Sequence, residues 1–267
     1  MKYHLVLLLA WAAPSWAGSV VDRALERMAG ADVVILGEIH DNPDHHLRQG
    51  EIIARLAPAA VVYEMLTPEQ AARVTPALAR NTDRLADVLD WETSGWPDFD
   101  LYAPVFAAAP HAAVFGALIE REKARQAMRS GLRAAFGPQA DDYGLTRPLD
   151  QDDQKTREEL QSRAHCDALP DEMLAPMVDI QRLRDAELAR AVVTALDATG
   201  GPVVLITGNG HARQDWGVPV YLDLVRPDLT VFALGQDEGG GEDAARFDLV
   251  LSAPPAERDD PCDAFKQ

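Results

Sequence analysis

The chain has 267 residues, 47% of them hydrophobic, with 25 lysines and arginines against 43 aspartates and glutamates, a formal net charge of −18. This length and apolar content suffice for one large core or two small ones, and no biased block or fixed-period repeat argues for a disordered or solenoid chain. So acidic a surface repels nucleic acid and anionic lipid, which excludes both as partners wherever no local basic patch offsets it.

The opening stretch "MKYHLVLLLAWAAPSWAGS" sets Lys2 before an apolar run from Leu5 to Ala13, with small residues at Ser15 and Ala17. That is the layout of a secretory signal peptide, residues 1–17, cut after Ala17. The apolar run falls short of the ~20 residues a bilayer span needs. No cysteine stands at the cut to accept a lipid, so a periplasmic or secreted mature chain, 18–267, is expected, with a charge of −19 once Lys2 is lost.

A short helix is expected over 19–29, followed by "ADVVILGE", whose β-branched run suits a strand buried on both faces of a parallel sheet. Asn42 before Pro43 signals a helix start. "AAVVYEM" (59–65) reads as a second strand and "TPEQAARVTPALA" as a second helix, completing a βαβ pattern. From about 81 to 200 the chain reads as a helical insertion, in which "HAAVFGAL" is a candidate return to the sheet. Within it, a polar loop covers 137–150 and helices cover 150–165 and 171–199, the second kinked or restarted at Pro176. "GPVVLITGNGH", "LTVFALG" and "RFDLVLS" supply the last strands. The expected fold is one α/β domain of three layers, a mostly parallel sheet flanked by helices.

The two cysteines, Cys166 and Cys262, form an even pair, which in an exported chain favours a disulfide. It would close a loop of nearly 100 residues, worth up to ~4–5 kcal/mol on the chain-entropy model.

Ligands of open parallel sheets bind beyond the carboxyl ends of the strands. Three expected strands end in suitable residues: Glu38 and His40 in "LGEIH", Glu64 in "VVYEM", and His211 in "TGNGH". Each has a plainer reading. Glu38 and Glu64 could cap the helices near Pro43 and Pro68, and the histidines could be loop residues bonded to backbone. Together they point to a converging site. His45 and His46 fall in the first turns of a helix and read as supporting or surface residues. Gln181, Arg184, Asp185 and Leu188 share a helical stripe, either an internal salt bridge or an arginine that orients Glu38 or Glu64. The run "EREKARQAMRSGLR" carries five basic residues against two acids. It is either a solvated helix face or a cradle for an anionic ligand.

"ILGEIHDNPDHH", "VVYEM", "QRLRDAELA" and "GNGHARQDWGVPVYL", in this order, resemble the ChaN-like haem-binding uptake family. That family belongs to a superfamily with the Tiki metalloproteases, the TraB/PrgY proteins and the erythromycin esterases. The resemblance spans about 30 to 235. It implies an envelope protein tied to haem or iron acquisition, with envelope uptake components as partners, and it leaves a homodimer open. The superfamily's acid and histidine positions fall on Glu38, His40, Glu64 and His211. Haem binding in the family is associated with tyrosine and histidine, and the tyrosine choices are Tyr63, Tyr102, Tyr143 and Tyr221. Tyr102 is favoured for its aromatic surroundings. Tyrosinate is a hard anionic ligand suited to ferric iron. Many family members are described as lipoproteins, which this sequence does not match. There is no CxxCH motif, so haem would be held non-covalently.

Two main readings result. In the first, haem is bound by Tyr102 or His211 against a wall of Trp91, Trp96, Phe99 and Phe106. Arg121 or Arg125 would meet its propionates, and Arg184 is a further candidate for cofactor contact. In the second, the chain is a hydrolase: His40, Glu64 and His211 hold a divalent metal such as zinc and Glu38 activates water. A metal-free esterase, with His40 or Glu38 as base, fits the same residues. A third, plainer reading is a partner-binding envelope protein.

Overall fold

The computed structural model of the chain describes residues 20–240, 243–260 and 262–263; the expected signal peptide lies outside them. Six strands form one all-parallel sheet: β1 (Val33–Glu38), β2 (Ala60–Tyr63), β3 (Ala113–Gly116), β4 (Val203–Gly208), β5 (Val231–Asp237) and β6 (Leu249–Ser252). Their order is β3-β2-β4-β1-β5-β6. β1 and β4 lie at the centre and are buried along their whole length, which is why each opens on a continuous apolar run, Val33–Leu36 and Val203–Ile206.

Alternate residues of each strand serve opposite layers. Val33, Ile35, Val203 and Leu205 face a core covered by the long helix Asp171–Thr199 and by Val218–Val225. Val34, Leu36, Val204 and Ile206 face the other core, covered by Pro43–Leu56 and Phe99–Ala108. The three-layer α/β architecture is therefore as expected.

The "HAAVFGAL" segment does return to the sheet: its "AVFG" pairs with β2 as the edge strand β3. Two local expectations change. The helix expected over "TPEQAARVTPALA" is two separate turns, Pro68–Ala71 and Pro76–Ala79. Pro76 forces Thr75 into extended backbone, and Thr75 then caps the second turn. At Pro176 the long helix runs on unbroken. The proline is the sixth residue of the helix, so it forgoes one intrahelical bond, to the Glu172 carbonyl, without ending the helix. Cys166 and Cys262 are joined, with Cα atoms 5.6 Å apart and a sequence separation of 96.

Candidate functional site: a carboxylate–histidine rim

The strand order decides which residues meet. β4 lies between β1 and β2, so the carboxyl ends of these three strands are neighbours. Glu38 is in register with Gly208, and Glu64 follows directly on Tyr63. Glu38, His40, Glu64 and His211 are thereby brought to one rim. Neither acid caps a helix: Asn42 and Thr67 do that work.

The first half of the rim is built around Glu38, whose carboxylate is fully enclosed. His40 Nδ1 donates to Oε1 (2.8 Å), the Tyr102 hydroxyl donates to the same oxygen (2.9 Å), and Gln49 Nε2 donates to Oε2 (2.8 Å). His46 is also buried, with Nδ1 3.5 Å from Oε2 and Nε2 donating to the His40 carbonyl (2.9 Å). His45 is buried as well: it accepts from the Ile39 amide (3.0 Å) and reaches the Asp237 carbonyl (3.3 Å). Both histidines lock the "GEIH" turn from inside, so neither is a surface residue. They face inward because Asn42 caps the helix directly before Pro43 and so turns its third and fourth residues toward the sheet.

The second half is built around Glu64 and His211. Glu64 Oε2 accepts from Thr207 Oγ1 (2.6 Å) and the Gly208 amide (2.9 Å), and its Oε1 lies 3.5 Å from His211 Nε2. Asp185, buried, takes His211 Nδ1 at 2.6 Å, and Gln181 Nε2 lies 3.0 Å from the same nitrogen. The polar stripe of the long helix thus orients His211. Arg184 makes no bond to Glu38 or Glu64, so the expected arginine orienter is replaced by Asp185.

His40 bridges the two halves. Gly208 has no side chain, and a Cβ built there would lie 2.9 Å from His40 Nε2 and 3.9 Å from Glu64 Oε2. The ring therefore reaches over the glycine toward the second carboxylate. Burial opposes its charge, but the Glu38 hydrogen bond and the Glu64 and Glu38 charges outweigh burial and raise its pKa to about 9. Burial works against the Glu64 carboxylate, yet His211, His40 and its two hydrogen bonds hold its pKa down at about 2. Burial lifts Asp185 to about 6 against the pull of His211. Tyr102 is pushed far up, by burial first and then by Glu38, so its hydroxyl stays neutral and donating.

A cavity of about 220 Å³ opens over this rim, lined by His40, Glu64, His211, Trp96, Leu118 and Arg184, among others. Trp96 meets His40 edge-on, with ring centroids 4.9 Å apart. The rest of the expected aromatic wall is core: Trp91, Phe99 and Phe106 pack on one another and on Tyr102, which is 0% exposed. Tyr63, Tyr143 and Tyr221 are buried too. Arg121 and Arg125 lie on an exposed helix, where Arg125 pairs with Glu122, and neither lines the cavity. Arg184 does, and among the described residues it forms no ion pair or side-chain hydrogen bond. His40, Glu64 and His211 are not grouped as a metal centre: among the described residues no three such donors are placed to hold an ion.

Sequence reasoning missed Thr207 and Gln49. A threonine breaking the apolar run of a fully buried strand was a usable signal for the first. A glutamine on the same face as His45, Ile52 and Ile53 was one for the second.

A parallel α/β domain whose central strands end in two buried carboxylate–imidazole pairs around a small cavity is the class defined here. The chain belongs to the family described as haem-binding uptake, Tiki superfamily, ChaN, whose model matches residues 24–222. Among solved structures it is similar to ChaN of Campylobacter jejuni, a structure described as showing cofacial haem binding. That likeness has 21% identity and a TM-score of 0.66, covering 87% of this chain and 91% of that one. It shows a shared fold. A weaker likeness is to the type III effector HopBA1, at 12% identity and a TM-score of 0.49 over 88% of this chain and 94% of that one. No curated protein matches the chain.

Proposed function

We propose that this protein binds haem non-covalently and serves haem or iron handling in the cell envelope. Membership of a haem-binding uptake family across residues 24–222 supports the ligand class. Haem would supply a Lewis-acidic iron, and the chain would supply a donor for it. The observation that carries the reading is His40. Its Nδ1 is anchored on Glu38, and its Nε2, at the cavity, has no hydrogen-bond partner among the described residues. Metal-binding histidines characteristically give their second nitrogen to a carboxylate in this way. None of Tyr63, Tyr102, Tyr143 and Tyr221 offers an open hydroxyl, and both nitrogens of His211 face Asp185 or Glu64.

The cavity is smaller than the ~300–1,000 Å³ typical of ligand pockets. Haem would be held there by His40, and Trp96, Leu118 and Arg184 line the same cavity. Binding through His40 requires loss of its proton, so haem affinity rises from pH 6 toward pH 9.

The test is a ferric haem titration followed by absorption spectroscopy on the wild type, His40→Ala, Tyr102→Phe and His211→Ala. A saturable spectrum of imidazole ligation, lost in His40→Ala alone, is expected. Non-saturable uptake that is the same in all four proteins would overturn haem binding. Loss in Tyr102→Phe alone would move the ligand to the tyrosine.

A further inference from the structure

The chain beyond β6 crosses the carboxyl edge of the sheet and reaches the rim. The Ala253 amide donates to the Asp237 carbonyl at the end of β5 (2.8 Å), and Asn42 Nδ2, beyond β1, donates to the Pro254 carbonyl (2.9 Å). Arg258 then forks between two carboxylates. Its Nε and Nη2 donate to Asp41 Oδ2 (2.7 Å) and Oδ1 (2.8 Å), and its Nη1 donates to Glu238 Oε2 (2.6 Å). Asp41 directly follows His40, so this strap grips the turn that carries the proposed haem donor. From Pro254 to Asp260 no residue of the strap is buried, and exposed ion pairs contribute little unless their partners are kept close. The Cys166–Cys262 bond keeps them close, four residues beyond Arg258. It fastens the strap to the turn between the helices Gln151–Ala164 and Asp171–Thr199. Neither cysteine is buried, so the bond lies at the surface. Cys166 and Asp167 have φ of 57° and 54°, the left-handed region that residues with a Cβ avoid, and this turn can relax once Cys166 is released.

We propose that this disulfide is a redox latch on the haem site: its reduction by a dithiol frees the strap, withdraws Arg258 from Asp41 and speeds haem release. A thiolate of the dithiol attacks one sulfur of the bond, giving a mixed disulfide and one free cysteine thiolate. The donor's second thiolate then displaces the other cysteine. The donor leaves as a disulfide, and its two electrons and two protons end on Cys166 and Cys262. Cut loose, the segment after Ala253 is fixed at one end only, and the effective concentration of Arg258 at Asp41 falls. The His40 turn loses its outer bonds and, with them, part of the preorganisation that haem binding draws on. Faster haem release rests on the proposed haem function; the freeing of the strap does not.

The first measurement needs no haem. Cleavage after Glu257 by a glutamyl endopeptidase is followed by mass spectrometry on the full chain, oxidised and reduced with dithiothreitol, with free thiols counted by alkylation. Cleavage after Glu51, inside the helix Pro43–Leu56, reports opening of the whole fold. Reduction should raise cleavage after Glu257 at least about tenfold relative to cleavage after Glu51, because only the strap opens locally. The second measurement is haem transfer to excess apomyoglobin from the wild type, from Cys166→Ser/Cys262→Ser and from Arg258→Gln. Both variants should release haem about tenfold faster, and combining them should add nothing, since both remove the same contact. An unchanged cleavage ratio in protein shown to be reduced, or equal haem release from the wild type and both variants, would overturn the proposal. If the wild type takes up no haem, the proposed function fails and the cleavage ratio alone decides the latch.

Discussion

Tyr102→Phe separates two roles for one side chain, that of iron donor and that of clamp on Glu38. The substitution keeps the packed ring against Trp91 and His46 and removes only the hydroxyl that gives 2.9 Å to Glu38 Oε1. A hydrogen bond to a charged group contributes ~1.5–3 kcal/mol. Glu38 keeps Gln49 and His40 as donors and is not orphaned, so a loss of about 2 kcal/mol is expected. With a urea m-value of ~2–3 kcal/mol/M, the unfolding midpoint should fall by roughly 0.7–1 M. Urea unfolding by circular dichroism measures this, and a haem titration on the same sample reads the site. The expected pair of results is a destabilised protein with an unchanged haem spectrum. An unshifted midpoint together with a lost haem spectrum would refute the buried-clamp argument, because it would require Tyr102 to leave Glu38 and open to solvent.

Further consequences can be measured on the same protein. His40 has a folded pKa raised from 6.5 to about 9, so its contribution to stability is complete below pH 6.5 and is lost as pH rises to about 9. Discounted for the ring's partial exposure, that contribution is about 2 kcal/mol, and it should vanish from the difference between wild type and His40→Gln in urea melts at pH 6 and pH 9.5. Parallel losses in the two proteins would count against it. Replacing Cys166 and Cys262 together by serine opens a loop with a sequence separation of 96, and should cost about 3–5 kcal/mol in non-reducing urea melts; wild type in reductant should match the double variant. Gly208→Ala should leave stability near wild type, because the new methyl meets the far end of His40 and not backbone, yet it should lower haem affinity by displacing Nε2. An unchanged affinity would remove His40 from the site.

The sequence alone determined the strands and the rim. β-branched runs closed by glycine or acid could be buried on both faces only in a parallel sheet, and such a sheet puts the residues after each run at its carboxyl edge. Glu38, His40, Glu64 and His211 could therefore be named before their geometry was known. The tertiary structure decided the partners, because strand order and burial depend on contacts between segments far apart in the chain. Placing β4 between β1 and β2 gave Glu64 its bonds from Thr207 and Gly208, and seating the long helix behind β4 gave His211 its bond to Asp185. Burial also reversed the reading of the aromatic segment. From composition, Tyr102 and its neighbours suit a haem wall equally well, but packing Phe99–Ala108 on Pro43–Leu56 sinks them into the core and leaves Trp96 alone at the cavity. Only the depth of each side chain, which no local pattern encodes, distinguishes an aromatic wall from an aromatic core.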